Sequence, residues 1–407
     1  MKTLFKKKPV AVAILLATAL PVLAADHRND ETLPTSIVGD KYYGNARQRI
    51  YDLKKDNNVR SINSSFYEDS AQSILGESDK VYSFGDHFAD MTHQSLINGM
   101  AFIAQFRGNA TQYVGIAKEG GFRGASAASL LGKFFEHSAQ ILGLKGDYLG
   151  NPDGNNNARS EYESFADDAT QTLYGVSTAH HDSFTGYASQ MLYDVAVAQG
   201  GKFDGHARQE LHDASKSDGD SFEGDASQTL YDQAEARNGT FAGNARQELS
   251  GVSHTEGNSF TENSSQTLHG NATASNGKFA DQAHQELFGD SQTDGNSFAG
   301  DASQKLNDYS AARHGTFADH ARQALHDFGL ADGNSFTDNT SQALYLDASA
   351  LNGTFADHAR QELHDASKSD GDSFKDDTSQ TLYDKAVARN GTFADHARQE
   401  LHDASKS

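Results

Sequence analysis

Pairs of histidines recur along the C-terminal half of the chain, and their spacing could support metal binding. Neutral imidazoles on stacked structural units can hold a metal ion, and protonated imidazoles would reduce repulsion between copies of an acidic protein. Equivalent positions of a repeat also carry solvated side chains without any ligand. The sequence therefore predicts histidines on an outer face, with no metal site and no cofactor. The pairs are His206 with His212, His320 with His326, His358 with His364, and His396 with His402.

Acidic turns form a second set of candidate ligands, because Ca²⁺ prefers carboxylate oxygens. The segment Asp370-Gly371-Asp372 is one of several similar turns. These turns lack the regular GGxGxD spacing of calcium-binding nonapeptide arrays, so we predict that they are simple turn residues.

The sequence contains no catalytic motif of a known type. It has no Gly-rich phosphate loop, no HExxH and no GxSxG. Carboxylate pairs occur throughout, and none breaks the repeat, whereas an active site requires one special place. The irregular segment 145–160 offers no acid, base and nucleophile together. We therefore expect that the protein is not an enzyme.

The candidate residues all belong to a unit that recurs every nineteen residues. In its last copy, Phe393, Ala397, Gln399 and Leu401 lie at offsets zero, four, six and eight. Steps of nineteen residues back from Phe393 reach a Phe each time as far as Phe165, which makes thirteen copies. The chain is therefore a repeat array, whose units stack on their neighbours.

Two folds compete for this unit. Ser or Thr before each Phe and Gly after the unit are typical helix caps, so an α-helical repeat solenoid is the alternative. The internal copies favour strands, because the even offsets are restricted and the odd offsets are variable and polar. The sequence predicts an all-β, single-stranded right-handed β-solenoid with one strand–turn–strand coil per nineteen residues.

Stacked coils would place identical side chains above one another. Each buried Phe or Leu would contribute roughly 1.5–3 kcal/mol before entropy, and the Gln amides would form a hydrogen-bonded ladder that sets the register. The residues predicted for this core are Phe317, Gln323, Leu325, Phe336, Gln342, Leu344, Phe355, Gln361, Leu363, Phe374, Gln380, Leu382, Phe393, Gln399 and Leu401.

Composition limits the possible partners. The net charge of −22 argues against nucleic acid and anionic membrane surfaces, and it leaves cationic or neutral partners such as glycans. No segment of the repeat region is expected to insert into a membrane. The chain contains no Cys, which is consistent with export of a protein held together by repetitive packing.

The chain divides into three regions by sequence. Residues 1–24 combine lysines, a short apolar run and an Ala at position 24, which predicts a secretory signal peptide. Residues 25–160 predict an N-terminal cap with degenerate copies, including one that starts at Phe122 and contains Leu130. The segment 145–160 within them predicts a loop. Residues 161–407 predict the regular β-solenoid, truncated at the C-terminus.

Residues 108–114, GNATQYV, followed by Gly120-Gly121, resemble the strand–loop–strand repeat of AIDA-type autotransporter passengers. This resemblance covers most of residues 66–407. It implies a right-handed β-helix on a Gram-negative cell surface or in the extracellular space, with a role in adhesion, self-association and biofilm. The chain ends inside a repeat without a C-terminal β-barrel translocator, which implies a fragment or another secretion route.

A looser resemblance connects the Gln-rich repeats and the signal peptide with curli-type functional amyloid subunits. The sequence thus predicts an exported bacterial surface protein for adhesion, autoaggregation and biofilm formation, in which many weak sites sum to avidity. Self-association is expected, and a glycan or protein on a host or bacterial surface is a possible ligand. The alternatives are a secreted amyloid matrix subunit and a helical scaffold that binds a protein partner.

Overall fold

The protein is an all-β solenoid. The computed structural model describes residues 36–43, 45–52, 59–76, 81–97, 100–114, 127–142 and 158–402. Within these ranges the chain forms short strands joined by tight turns and no helix, so the helical repeat alternative is wrong. The predicted signal peptide lies outside the described residues.

Each coil contains three strands, not the two that the strand–turn–strand prediction implies. In one coil, Arg208–Leu211 lies in what we call the third sheet, Lys216–Asp218 in the first and Ser221–Phe222 in the second. The strand of the first sheet was missed because its inward residue is small, as Ser217 is here. Its signal is therefore much weaker than that of Phe or Leu.

Two compact units, residues 1–202 and 203–407, make up the chain. In unit 1, the strands of the first sheet are Ser36–Val38, Val59–Ile62, Val81–Phe84, Met100–Phe102, Ala127–Leu130, Ala158–Glu161, Thr178–His180 and Val197–Gln199. Those of the second sheet are Lys41–Tyr42, Ser65–Phe66, His87–Ala89, Gln105–Arg107, Lys133–Phe134, Ser164–Phe165 and Ser183–Phe184. Those of the third sheet are Arg47–Asp52, Ala71–Gly76, His93–Ile97, Thr111–Val114, Ala139–Leu142, Thr170–Leu173 and Ser189–Leu192. The strand Lys202–Phe203 contains the boundary between the units.

In unit 2, the strands of the first sheet are Lys216–Asp218, Glu235–Arg237, His254–Glu256, Thr273–Ser275, Gln292–Asp294, Ala311–Arg313, Leu330–Asp332, Ser349–Leu351, Lys368–Asp370 and Val387–Arg389. Those of the second sheet are Ser221–Phe222, Thr240–Phe241, Ser259–Phe260, Lys278–Phe279, Ser297–Phe298, Thr316–Phe317, Ser335–Phe336, Thr354–Phe355, Ser373–Phe374 and Thr392–Phe393. Those of the third sheet are Arg208–Leu211, Ser227–Leu230, Arg246–Leu249, Ser265–Leu268, His284–Leu287, Ser303–Leu306, Arg322–Leu325, Ser341–Leu344, Arg360–Leu363, Ser379–Leu382 and Arg398–Leu401.

Adjacent coils pair as parallel strands in which each residue lies beside its equivalent. Gln228 pairs with Gln247 and Leu230 with Leu249, nineteen residues further on. The coils wind as a right-handed solenoid, as the sequence predicted. Because register and repeat length agree, identical side chains form columns along the solenoid axis.

The chain turns at three corners of each coil, and each corner holds a residue in the left-handed backbone conformation. In the coil that starts at Phe203 these residues are Gly205, Asp213 and Gly219, with φ of 72°, 58° and 70°. Gly and, less readily, Asp or Asn adopt this conformation. Offset two therefore lies at a corner, which corrects the inference that all even offsets point inward.

The less regular part of unit 1 differs from the sequence-based interpretation in two places. Leu130 pairs with Phe102 in the first sheet, so it does not belong to a rung that begins at Phe122. Ala158–Glu161 is a strand, although 145–160 was expected to be a loop. Both errors arise because extra residues lie between strands of the third and first sheets, which shifts the spacing to the next Phe.

Candidate functional site: the interior columns and the outer faces

The predicted core residues of unit 2 lie inside the solenoid. The rings of successive Phe residues from Phe203 to Phe393 stack with centroids 4.6–4.8 Å apart. In the last described coil these side chains are less buried, because no further coil covers them in the structure, and Phe393 and Leu401 are 37% and 45% exposed. The buried members of the predicted set are Phe317, Gln323, Leu325, Phe336, Gln342, Leu344, Phe355, Gln361, Leu363, Phe374, Gln380 and Leu382.

The Gln side chains form an amide ladder in each unit. In unit 2, the Nε2 of each Gln from Gln228 to Gln399 donates to the Oε1 of the Gln one coil earlier, at 2.5–2.8 Å. In unit 1, the same bonds link Gln48 to Gln190. Because a buried amide without a partner is costly, the ladder makes each coil depend on its neighbour.

A second polar column lies beside the ladder, and the sequence analysis missed it. In unit 2 the residue two positions before each Phe alternates between an acidic or amide residue and Gly in successive coils, and it is buried in every coil except the last. The members of this column are Asp220, Gly239, Asn258, Gly277, Asn296, Gly315, Asn334, Gly353, Asp372 and Gly391 in unit 2, and Asp182 and Gly201 hold the equivalent positions at the end of unit 1.

Asp372 shows how this column is held. Its Oδ1 accepts from the backbone N–H of Gly353 at 2.7 Å, and its Oδ2 accepts from Gln361 Nε2 and Ser369 Oγ at 2.7 and 2.6 Å. Burial raises the pKa of this carboxyl, while the three donors act in the opposite direction. The Asp thus joins the Gln ladder to the backbone of the preceding coil.

Gly fits best in the alternate coils of unit 2, because a side chain there would press against its neighbours. A Cβ on Gly353 would lie 3.0 Å from the Phe355 ring and 3.2 Å from Asp372 Oδ1. The same N–H to carbonyl bond joins Gly239 to Asn258, Gly277 to Asn296 and Gly315 to Asn334, each at 2.8 Å. The alternation therefore couples coils in pairs and gives the repeat a period of two coils.

The sequence signal of this column lies in two kinds of Gly-containing turn, Asp-Gly and Asn-Gly. In Asp218-Gly219 the Gly holds the left-handed corner, and the buried Asp220 follows it. In Asn238-Gly239 the Asn holds that corner instead, and the Gly is the buried residue. Relative to the next Phe, Gly219 lies one residue earlier than Gly239. This difference in position could have shown that the first Gly forms the corner and the second lies in the buried column.

Unit 1 does not keep this alternation. Glu163 and Asp182 are adjacent in the buried column, and the Glu163 N–H donates to Asp182 Oδ1 at 2.9 Å. Gln140 Nε2 donates to Glu163 Oε2 at 2.5 Å. Burial, followed by the nearby Asp182, raises the pKa of Glu163 from 4.5 to about 8. This carboxyl therefore retains its proton at neutral pH.

The outer face of the third sheet repeats with the same two-coil period. Most coils of one type present Arg and Glu, as Arg360 and Glu362 do, and most of the next coils present Ser and Thr, as Ser379 and Thr381 do. The four strands between residues 284 and 344 depart from this pattern, at His284, Lys305, Ala324 and Ala343. Strands in a sheet are about 4.8 Å apart, so like charges on alternate coils lie roughly 10 Å apart. The face is a polar lattice without an apolar centre. A depression of about 480 Å³ on it is lined by residues that include Asn244, Arg246 and Glu248.

The paired histidines occupy two different environments. His206, His320, His358 and His396 lie exposed at the corner after each Phe. The second members lie in an aromatic column, where His326, Tyr345, His364, Tyr383 and His402 stack at 4.7–5.0 Å. Within the described residues, no group of three or more His, Asp or Glu side chains could hold a metal ion.

Large exposed apolar side chains interrupt the polar surface, and two groups of them each recur at one corner over successive coils. Unit 1 exposes Phe84, Ile103, Leu131 and Tyr162 at one corner. Unit 2 exposes Tyr309, Phe328 and Leu346 in three consecutive coils, at the corner between the third and first sheets. Among the described residues, no helix is long and apolar enough to cross a bilayer.

Comparison with known proteins gives a match to a solved structure. No family model and no curated protein matches this chain. A solved structure of a hyper-glycosylated TibA fragment, glycosylated by TibC, matches with a TM-score of 0.47 and 11% sequence identity. The match covers 90% of this chain and 100% of the TibA fragment.

Proposed function

We propose that this protein is an exported bacterial surface protein that mediates adhesion, autoaggregation and biofilm formation. The observation that carries the proposal is the outer face of the third sheet in unit 2, where similar polar groups recur every second coil in most of the array. Sites of this kind are individually weak because they are solvated, but a partner with its own repeating groups would engage many of them together. The resemblance of residues 108–114 to AIDA-type passengers supports the same role.

The proposal assigns the protein binding without catalysis. Its ligands are a second copy of the chain, or a glycan or protein on a host or bacterial surface. The buried columns then serve as the scaffold that holds the outer groups at fixed spacing, and the acidic surface keeps nucleic acid away.

Display of the chain on a non-adherent Gram-negative host tests this function. We expect displayed cells to settle faster and to bind surfaces more than cells that display the secretion machinery alone. Conversion of Arg–Gln–Glu–Leu strands to the Ser–Gln–Thr–Leu of their neighbours should reduce settling in proportion to the number of coils converted. Absence of settling by the unaltered chain would exclude the proposal, and settling that is unaffected by conversion would exclude this face.

One observation favours a second candidate, a secreted amyloid matrix subunit. Identical Gln and Phe residues stack in parallel register through each unit, which is the arrangement found in cross-β fibrils. Purified protein that assembles into fibres with seeded kinetics would favour this candidate. Protein that remains monodisperse and binds no amyloid dye would remove it.

A further inference from the structure

We propose that unit 2 carries a single docking patch for a basic, apolar segment of another protein. The patch comprises Tyr309, Phe328, Leu330, Leu346 and Leu351, and we refer to it as the Tyr309 patch. It lies at the corner between the third and first sheets and on the adjoining first-sheet strands. The inference goes beyond the proposed adhesive function, because it concerns one place and not a repeated face.

The Tyr309 patch exposes more apolar surface than the repeat requires. Tyr309, Phe328 and Leu346 are 64%, 52% and 47% exposed. The two rings stack against each other with centroids 4.9 Å apart and planes 3° from parallel. Leu330 and Leu351 are half-buried. Each lies next to the buried central Ala of its three-residue strand, so each points outward. Clustered exposed apolar side chains are typical of interaction sites.

The repeat itself shows that these side chains are not needed for folding. At the position of Tyr309 and Phe328, other coils of unit 2 carry Ala214, Gln233, Val252, Asn271, Asp290, Asp347, Ala366 and Lys385. At the position of Leu330 they carry mostly polar residues, such as Lys216, Glu235 and Lys368. Nearly all these coils form the same strands with a polar or small residue, so the apolar set serves the surface and not the core.

Leu346 adds an independent observation. Its φ is 60°, in the left-handed region that disfavours side chains branched or bulky near the backbone. The equivalent corner of every other described coil of unit 2 holds Asp or Gly, for example Gly289, Asp327 and Asp365. A strained residue retained at an exposed corner points to a use for its side chain.

The charges around the patch indicate the kind of partner. Asp308, Asp327 and Asp347 lie at the corner itself, and Asp332 lies beside Leu351 in the sheet register. The basic side chains nearby in sequence include His326, Arg313 and Lys305, and Lys305 is paired with Glu286 at 3.0 Å. A second copy docked patch to patch would place these Asp residues opposite their own equivalents, which would repel each other. A basic partner segment with apolar side chains satisfies both the acidic border and the apolar centre.

Peptide binding tests the inference with the intact chain. The probes are an 18-residue amphipathic peptide of Leu and Lys and its counterpart of Leu and Glu, measured by fluorescence anisotropy near physiological ionic strength. The patch variant combines Tyr309→Asn, Phe328→Asp and Leu346→Gly. Each replacement is the residue of another coil at the same position, so the fold should be retained, as circular dichroism will report.

We expect the Leu/Lys peptide to bind and the Leu/Glu peptide to bind much more weakly. The patch variant should bind the Leu/Lys peptide about tenfold more weakly or worse, although Phe328→Asp adds a negative charge that would strengthen purely electrostatic binding. Val252→Asp is the matched control, since Val252 is exposed at the position equivalent to Phe328, and it should leave binding unchanged.

Three results would overturn the proposal. The first is equal affinity of the patch variant and the unaltered chain. The second is equal loss in the Val252→Asp control. The third is sedimentation that shows a dimer lost only in the patch variant, because the occupant would then be a second copy. If the triple variant misfolds, Leu346→Gly and Phe328→Asp are measured singly against the same criteria. Loss of peptide binding with cell settling retained would separate the patch from the adhesive face.

Discussion

Glu163 and Asp182 place two carboxyl groups side by side in unit 1, whereas the coils of unit 2 alternate an acid or amide with Gly. Two negative charges at this distance in a buried site repel each other strongly, so one of them holds a proton. The direction of the shift assigns that proton to Glu163, whose pKa is about 8. The stability of unit 1 is therefore coupled to pH through a buried carboxyl group.

Glu163→Gln should remove this coupling. The pKa of Glu163 is about 8 in the folded chain and about 4.5 in the unfolded chain. Its contribution to the free energy of unfolding is therefore fully present below pH 4.5 and is lost as the pH rises to about 8. Gln mimics the protonated form and can still accept from Gln140. We expect the variant to exceed the unaltered chain in thermal stability at pH 8–9, with little difference near pH 4.5.

The measurement is a series of circular dichroism melts across this pH range. Glu136→Gln serves as the control, because Glu136 is exposed and is expected to leave the pH profile unchanged. A Glu163→Gln profile that parallels the unaltered chain from pH 5 to pH 8 would contradict the assignment of the proton.

Leu346→Gly should stabilise unit 2, although it removes a side chain. The left-handed conformation costs a residue with a Cβ roughly 1–2 kcal/mol, and Gly adopts it freely. The unfolded chain gains entropy with Gly, so we expect a net gain of about 0.5–1 kcal/mol in unfolding free energy. Gly289→Leu, the reverse change at the same corner, should destabilise by a similar amount in urea titrations. A loss of stability in Leu346→Gly would show that the side chain supports the fold.

At the scale of the strand, the buried Gln side chains are favourable only while the amide ladder is continuous, because each amide then has a hydrogen-bond partner. Gln323→Ala should break it in the middle of unit 2. Gln342 Nε2 and Gln304 Oε1 would each lose a partner that now lies at 2.7 Å. An orphaned buried group costs about 1–3 kcal/mol, so we expect a loss of about 3 kcal/mol in unfolding free energy.

Gln233→Ala provides the comparison for this change, because Gln233 is exposed. It should alter unfolding free energy by less than about 0.5 kcal/mol. Equal effects of the two substitutions in chemical denaturation would mean that the ladder contributes no more than a surface residue.

The strands that sequence predicted are those with large or invariant inward residues. Phe, Gln and Leu mark the second and third sheets because few other residues fill those columns. The first sheet was missed since its inward positions hold Ser217, Ala236 or Thr255, which are equally common in turns. The buried Asp372 was hidden for a different reason, because an Asp beside Gly in an acidic chain predicts a solvated turn. The outer location of the histidines was predicted, but the aromatic column was not, because it depends on which rings lie on adjacent coils.

At the scale of the molecule, the two-coil period limits how the array can be shortened. Deletion of 222–259 removes two coils and leaves Asp220 beside Gly277, so the alternation survives. Deletion of 222–240 removes one coil and places Asp220 beside Asn258 and Arg208 beside Arg246. The shorter deletion should therefore be the more harmful, by about 2 kcal/mol, because buried groups lose partners and like charges meet.

Thermal and urea unfolding of the two deletion variants check this expectation. A matched pair of deletions at 260–278 and 260–297 repeats the comparison at another site and controls for local effects. If stability follows only the number of coils removed, the paired coupling through the Gly N–H groups is unimportant. The adjacent Glu163 and Asp182 show how the chain accommodates such a fault, through a carboxyl that stays protonated.

The three corners of the coil differ in how much their connections vary in length. Two residues separate the strands of the first and second sheets in every coil of unit 1, whereas the connection from the third sheet to the first ranges from Ile97–Met100 to Leu142–Ala158. New sequence has therefore been accepted at one corner without disturbance of the columns inside. The Tyr309 patch lies at that same corner in unit 2. A lineage that carries this fold can acquire and discard binding specificities there, while the rest of each coil is held to its repeat.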